Sequence, residues 1–136
     1  MSAETGTASS PLLIRVLIAD DHPRSRRGLK ALLTTSPMIE VVGEATNGLE
    51  AIQLIETSRP DAVLLDAQMP VLDGLAAAEQ IKRRWPEIKI LMLTLSRISL
   101  ADQRLGTVDA VLIKGCPVDK LWTALLGCGK MSGQNS

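Results

Sequence analysis

The sequence predicts an α/β domain built on a parallel sheet, and three observations favour this fold class. Five short apolar segments alternate along the chain with amphipathic segments of helical spacing. This strand–helix alternation is typical of a parallel sheet with helices on both faces, and right-handed crossovers make it doubly wound. The chain has 136 residues, of which 46% are hydrophobic, so it has the size of one domain and enough apolar residues for a core.

The five strands are predicted from short runs of aliphatic residues. The third run is apolar throughout, as expected for a strand that is buried on both faces of the sheet. Each run ends where polar residues or a turn signal begin. The predicted strands are 14–19, 40–44, 62–65, 89–93 and 110–113.

The helices are predicted from the spacing and from their end signals. Pro23 suits a first helical turn, and Asn47-Gly48 is a turn signal before the second helix. Trp85-Pro86 closes the third helix, because the residue before proline is pushed out of the helical region. Five helices are predicted. The first begins near Pro23, the second spans 48–57, and the third runs from the loop 69–74 to Arg84. The last two span 100–105 and 117–126.

The two ends of the chain differ in composition from the segment between them. Residues 1–11 are rich in Ser, Thr and Ala and predict a disordered lead-in, not a secretory signal. Residues 128–136 are rich in Gly, Ser and Asn and predict a flexible tail or linker stub. The predicted domain therefore covers 12–127.

Charge and cysteine content exclude several classes of function. Lys and Arg together number 15, as do Asp and Glu, so the net charge of zero argues against direct nucleic-acid or anionic-membrane binding by this chain. The apolar runs are too short to span a bilayer. Cys116 and Cys128 form no CxxC pair, which argues against a zinc site and favours a reduced, cytoplasmic setting.

Polar residues follow four of the predicted strands directly. In doubly wound sheets, ligands bind at the carboxyl ends of the strands, near the point where the strand order reverses. Carboxylates, a hydroxyl and an ammonium group are thus expected at one rim of the sheet. These residues are Asp20, Asp21, Asp66, Thr94 and Lys114.

A cluster of three carboxylates needs either protons or a cation to offset its repulsion. The strand ends offer oxygen ligands only, which favours Mg²⁺, and the backbone carbonyl of Gln68 could complete the ligands from Asp20, Asp21 and Asp66. Such a site suits phosphoryl chemistry with an aspartate as the nucleophile. Lys114 would supply a positive charge for the phosphoryl oxygens.

The sequence resembles the receiver domains of two-component response regulators, from about Arg15 to Leu126. Receivers have a flavodoxin-like fold, and the resemblance implies the strand order 2-1-3-4-5 of the chemotaxis receiver, which is a worked example of this order. Taken together, in this order and spacing, the motifs are specific. They are VLIADDHP (16–23), LLDAQMPVLDG (64–74), LMLTLS (91–96) and AVLIKG (110–115).

The resemblance also implies roles for individual residues. Asp66 would be the phosphoacceptor, Asp20 and Asp21 would hold Mg²⁺, Thr94 would be the switch hydroxyl and Lys114 would contact the phosphoryl group. The donor would be a phosphohistidine on a sensor histidine kinase or phosphotransfer protein, so the chain would be an acceptor and not an enzyme. The resemblance leaves open whether the chain forms a homodimer.

The resemblance is strongest to receivers of LuxR-type helix-turn-helix regulators, because of the ADDHP start and the segment RGLKALL (27–33). It implies a cytoplasmic protein that controls transcription through an output domain outside this chain. The chain is then either the amino-terminal fragment of a longer regulator or a stand-alone receiver.

Three features depart from the family pattern. Val111 stands where receivers usually have Tyr or Phe, Leu95 stands where a small residue is usual, and the stretch from Thr94 to Lys114 is short by a residue or two. The first two departures favour an alternative function, a pseudo-receiver that serves as a protein-interaction module with weak or no phosphorylation. The complete set of predicted site residues argues against this alternative.

Two further interpretations concern single residues. A hydrolase of the aspartyl-phosphate type would need a second aspartate as general acid where Gln68 stands, which argues against that class. His22 is interpreted as a capping or solvent-exposed residue with no ligand role.

Overall fold

A computed structural model describes residues 13–95, 106 and 108–126. Within these residues the chain forms five strands and four helices. The strands are β1 (Ile14–Ala19), β2 (Ile39–Ala45), β3 (Ala62–Asp66), β4 (Lys89–Thr94) and β5 (Ala110–Ile113). The helices are α1 (Pro23–Leu33), α2 (Gly48–Ser58), α3 (Gly74–Arg84) and α4 (Val118–Leu126).

The strands form one parallel sheet in the order β2-β1-β3-β4-β5. The predicted fold class and the implied strand order are therefore confirmed. Neighbours β1 and β3 are not consecutive in the chain, so the strand order reverses between them. The carboxyl ends of these two strands open the crevice in which doubly wound sheets bind their ligands.

Helices cover both faces of the sheet, and the side chains of each strand alternate between the two faces. On β1, Val16 and Ile18 belong to the apolar cluster that packs against α1 and α4. Leu17 and Ala19 belong to the cluster that packs against α2 and α3. This double burial explains why the strands are apolar at nearly every position.

The helix ends follow local signals in the sequence. The side chain of Asn47 accepts a hydrogen bond from the Glu50 backbone N–H at 2.8 Å, and Asp73 caps α3 in the same way through Ala76. α3 ends at Arg84, before Trp85-Pro86, as predicted. The guanidinium group of Arg84 lies 4.3 Å from the centre of the buried Trp85 ring, a cation–π contact at this end of the helix.

Some predicted segments lie outside the described residues. They are the lead-in 1–11, the helix 100–105 and the tail 128–136. In the part of the chain that the structure describes, no helix has the length and apolar content needed to cross a membrane.

Candidate functional site

The candidate site lies at the carboxyl rim of the sheet, where β1 and β3 end next to each other. Asp20 follows β1 directly, and Asp66 is the last residue of β3. Both residues are buried in spite of their charge, with 0% and 4% of their surface exposed. Carboxylates this deeply buried need partners, because the loss of hydration is costly.

Lys114 is the main partner of both carboxylates. Its Nζ lies 3.2 Å from Asp20 Oδ2 and 3.1 Å from Asp66 Oδ2, so one ammonium group bridges the ends of β1 and β3. The Lys114 backbone N–H donates to the carbonyl of Thr94 at 2.7 Å, and Gly115 then turns the chain with a φ of 88°. This turn holds the lysine at the rim.

Asp20 is held by groups from the first turn of α1. Ser25 Oγ donates to Asp20 Oδ2 at 2.5 Å, and the His22 backbone N–H donates to Asp20 Oδ1 at 2.9 Å. Burial would raise the pKa of Asp20, but these hydrogen bonds and the charge of Lys114 together lower it from its ordinary value. Asp20 is therefore an anion built into the site.

Asp66 has fewer donors. It accepts a hydrogen bond from the Gln68 backbone N–H at 3.1 Å, in addition to its contact with Lys114. Burial raises the pKa of Asp66, and the nearby negative charge of Asp20 raises it further, against the effects of Gln68 and Lys114. Asp66 is thus the less stabilised of the two buried anions.

Asp21 and His22 complete the cluster. One ligand atom from each of Asp20, Asp21, His22 and Asp66 lies within 4.8 Å of the others. Oδ1 of Asp21 is buried and makes no hydrogen bond within the described part of the chain. A buried carboxylate oxygen without a donor, beside two other carboxylates, fits a divalent cation such as Mg²⁺.

The loop after β3 forms the opposite side of the site. It is positioned by a close contact: the Gly74 N–H donates to the carbonyl of Ala67 at 3.0 Å, and a Cβ added at Gly74 would lie 2.2 Å from the carbonyl oxygen of Asp66. In the same loop the Leu72 N–H donates to the carbonyl of Pro70 at 2.7 Å, and Val71 has a φ of 69°, which together describe a γ-turn.

A cleft of about 510 Å³ opens between this loop and the end of β1. It gives a reactant access to the rim. The cleft is lined by Asp21, His22, Ala67, Gln68, Met69, Pro70 and Asp73.

The structure brings most of the predicted site residues together. One cluster contains Asp20, Asp21, Asp66 and Lys114. Thr94 is buried at the end of β4, and its carbonyl accepts a hydrogen bond from the Lys114 backbone N–H. Gln68 is two residues beyond Asp66, and its backbone N–H already contacts that carboxylate.

The sequence predicts His22 to be a capping or solvent-exposed residue with no ligand role, and its side chain is indeed 60% exposed. The residue occupies the N-cap position of α1, but its side chain makes no capping hydrogen bond. Instead, its ring nitrogen Nδ1 faces the carboxylates. The signal that could have identified it is its position directly after two acidic residues at a strand end.

Two of the three departures from the family pattern lie in the described residues, whereas most of the short stretch from Thr94 to Lys114 lies outside them. Val111 is half-buried and packs against the apolar cluster under α2 and α3, so the position holds an aliphatic core side chain. Leu95 is 71% exposed, directly after Thr94.

Comparison with known proteins agrees with this fold. The family model described as the response regulator receiver domain matches residues 16–125. The chain therefore belongs to the response regulator receiver domain family, the signal-receiving module of two-component systems.

Two curated relatives are similar to this chain over part of their own length. The response regulator protein VraR of Staphylococcus aureus is 46% identical over 83 residues, which cover 61% of this chain and 40% of that protein. The uncharacterized transcriptional regulatory protein YhcZ of Bacillus subtilis is 44% identical over 81 residues, which cover 60% of this chain and 38% of that protein. The match thus spans about 40% of the length of these relatives.

Solved structures give the same classification. The signal receiver domain of the putative response regulator NarL from Mycobacterium tuberculosis is 32% identical with a TM-score of 0.76, covering 85% of this chain and 95% of that one. A LuxR-family DNA-binding response regulator from Staphylococcus aureus is 27% identical with a TM-score of 0.76, covering 82% and 95%. TrrA from Thermotoga maritima, solved in complex with Mg²⁺ and BeF, is 30% identical with a TM-score of 0.75, covering 82% and 95%.

Proposed function

We propose that this receiver domain accepts a phosphoryl group on Asp66 from a phosphohistidine of a sensor histidine kinase or phosphotransfer protein. The observation that carries this proposal is the Lys114 ammonium group bridging Asp20 and Asp66 at the rim of the sheet. The cleft beside Asp21 and Gln68 offers a reactant a path to this rim. The chain acts as an acceptor and not as an enzyme with turnover.

The transfer exchanges one bond to phosphorus for another. An oxygen of Asp66 forms a P–O bond as the P–N bond of the donor breaks, and the departing imidazole takes up a proton. Asp66 is the carboxylate with the weaker stabilisation, which suits a group that must give up its anionic charge to a new bond. Lys114 would turn from Asp20 and Asp66 toward the phosphoryl oxygens, and Thr94, at the end of the neighbouring strand β4, would donate its hydroxyl.

Asp20, Asp21 and Asp66, with the carbonyl of Gln68, would hold Mg²⁺. The buried Asp21 Oδ1 without a hydrogen bond supports this assignment, as does the Mg²⁺ complex of TrrA. Bound Mg²⁺ would supply positive charge that offsets the charge of the transferring phosphoryl group. The three carboxylates are already gathered at the rim, so little rearrangement is needed to bind it.

We propose that the receiver controls transcription in the cytoplasm through an output domain outside this chain. The names of two relatives, a transcriptional regulatory protein and a DNA-binding response regulator, support the link to transcription. A homodimer is part of this proposal. The response would differ from that of receivers with a switch aromatic, since Val111 offers no ring that could turn inward.

A second candidate function, the pseudo-receiver, is favoured by Val111. It predicts the same fold and the same interaction surfaces, but little or no phosphorylation of Asp66. The phosphorylation experiment below separates the two functions.

The experiment is incubation of the chain with acetyl phosphate and Mg²⁺, followed by mass spectrometry of the intact protein. We expect one added phosphoryl group in the parent and none in Asp66→Asn. The matched control is Asp119→Asn, the same exchange on an exposed residue in the first turn of α4. This control should be phosphorylated like the parent. An unmodified parent would favour the pseudo-receiver, and a modified Asp66→Asn would refute Asp66 as the acceptor.

A further inference from the structure

His22 brings a nitrogen donor into the acidic cluster. Its Nδ1 lies 3.1 Å from Asp21 Oδ1, 3.3 Å from Asp20 Oδ1 and 3.6 Å from Asp66 Oδ2. Two neighbouring ligands on an octahedral ion with bonds of 2.0–2.1 Å are about 3 Å apart. The spacing of the imidazole nitrogen from the carboxylate oxygens is thus close to that of ligands sharing one cation.

The backbone around His22 holds the ring in this place. The His22 N–H donates to Asp20 Oδ1 at 2.9 Å, and the His22 carbonyl accepts the first helical hydrogen bond of α1, from Arg26 at 2.9 Å. Pro23 follows as the first helical residue and restricts the backbone further. The side chain itself takes no part in capping the helix.

Helix capping would be the ordinary role for a polar residue here, and it is the role that the side chain does not fill. A hydrogen bond to Asp20 Oδ1 is the other ordinary role, and at 3.3 Å between nitrogen and oxygen it is long for a charge-assisted bond. The nearest oxygen is Asp21 Oδ1, the buried atom without a hydrogen bond. The imidazole therefore faces the atom that most needs a cation.

We propose that His22 Nδ1 is a direct metal ligand, so that the site binds Co²⁺ and similar transition-metal ions in clear preference to Mg²⁺. This inference rests on the proposed function, since it concerns the same metal site. Imidazole nitrogen suits transition-metal ions, whereas Mg²⁺ prefers oxygen and keeps several waters. If water replaces the imidazole, the affinity for Co²⁺ should fall, because Co²⁺ loses a preferred ligand. The affinity for Mg²⁺ should change little.

The first test is proton NMR of the untagged chain with Co²⁺. Imidazole bonded to Co²⁺ gives strongly shifted proton resonances, and since the sequence contains one histidine, such resonances identify His22 without labelling. We expect them in the parent and expect an excess of Mg²⁺ to remove them, which ties the ion to the shared site. Co²⁺ binding without shifted imidazole resonances would overturn the inference while leaving the metal site intact.

The second test is calorimetric titration of the parent, His22→Ala and His22→Asn with Co²⁺ and with Mg²⁺ at one fixed pH. The asparagine variant keeps a good N-cap residue, so it controls for effects on α1. We expect the Co²⁺ affinity of both variants to fall about 10- to 100-fold, which is the range seen when a group that hydrogen-bonds to a metal ligand is lost. We expect the Mg²⁺ affinity to stay nearly unchanged.

The outcomes separate the inference from the proposed function. Equal losses for both ions would show that His22 only positions the carboxylates, which overturns the inference. A parent that binds neither ion would overturn both the inference and the proposed metal site. A selective loss of Co²⁺ affinity in both variants supports the inference.

Discussion

Asp20 and Asp66 show how two carboxylates of the same site acquire opposite properties. Asp20 accepts hydrogen bonds from Ser25 and His22, and its pKa is lowered. Asp66 is buried with the backbone N–H of Gln68 and the shared Lys114 as its donors in the described residues, and its pKa is raised. The difference comes from the local donors, because both residues share the same lysine.

These opposite shifts give a prediction about stability and pH without metal. A raised pKa in the folded state means that Asp66 favours folding below its ordinary value of 3.8 and loses this contribution as the pH rises through its folded pKa. Asp66→Asn should therefore raise the free energy of unfolding at neutral pH, with the gain fading toward acid. Asp20→Asn should do the reverse, because a lowered pKa stabilises the fold above the ordinary value and is lost as the pH falls.

The measurement is urea denaturation of the parent and both variants in EDTA over a series of pH values. Each variant serves as the control of the other, because both remove one buried charge that contacts Lys114. Two changes of the same sign at neutral pH would contradict the assignment of opposite pKa shifts.

Single residues also mark the limit of prediction from sequence. Asp20, Asp66 and Lys114 were identifiable because each ends a strand, and strand ends meet at one rim. The bridging of both carboxylates by Lys114 was not predictable, since it depends on distances across three strands. The orientation of the His22 ring depends in the same way on how Pro23 starts α1 after β1.

At the scale of elements, the contact between the start of α3 and the end of β3 positions Asp66, the proposed acceptor. Gly74 lies against the backbone of Asp66 and Ala67, where there is no space for a side chain. Asp73 caps the same helix through the Ala76 N–H. The helix start and the acceptor strand are therefore locked together at one point.

This contact predicts opposite effects of the same exchange in two helices. Gly74→Ala should lower the free energy of unfolding by about 1–3 kcal/mol, because the added methyl group overlaps fixed backbone. It should also slow phosphorylation, since relief of the overlap displaces Asp66. Gly28→Ala in α1, where nothing lies within 4 Å, should raise the free energy of unfolding by about 0.5–1 kcal/mol.

Urea denaturation and the rate of modification by acetyl phosphate check both variants. The prediction fails if Gly74→Ala is as stable and as fast as the parent. A destabilised Gly28→Ala would show that the exchange itself, and not the contact with Asp66, is responsible.

Most elements were predictable because their signals are local. Aliphatic runs gave the strands, and Asn47, Pro23 and Trp85-Pro86 marked helix ends that the structure confirms. β3 and β4 each extend one residue further than predicted, so Asp66 and Thr94 belong to their strands. Apolar periodicity cannot place such a boundary, because a polar strand-end residue reads as the start of a loop. The positive φ of Val71 was equally unpredictable, since β-branched residues rarely adopt it.

At the scale of the whole molecule, the metal site links ligand binding to stability. The carboxylates come from the ends of β1 and β3, and their repulsion opposes the folded state in the absence of a cation. A cation that binds only the folded chain must shift the unfolding equilibrium.

Mg²⁺ should therefore stabilise the parent against unfolding, by about 2.7 kcal/mol at a concentration of one hundred times Kd. Asp21→Asn should lose most of this gain, because it removes a charged ligand whose buried Oδ1 makes no hydrogen bond within the described residues. Thermal unfolding with and without Mg²⁺ measures the difference, and Asp119→Asn is the control that should respond like the parent. An equal gain in Asp21→Asn would exclude Asp21 as a ligand.

The contact between Lys114 and Asp20 joins residues 94 positions apart in the chain. Contacts of such long sequence separation form late, because their loop-closure entropy must be overcome first. A chain emerging from the ribosome has β1, α1 and the acceptor strand well before the lysine appears. The rim is therefore complete only once synthesis has passed Lys114, so a chain that ends before β5 would lack the ammonium group that bridges Asp20 and Asp66.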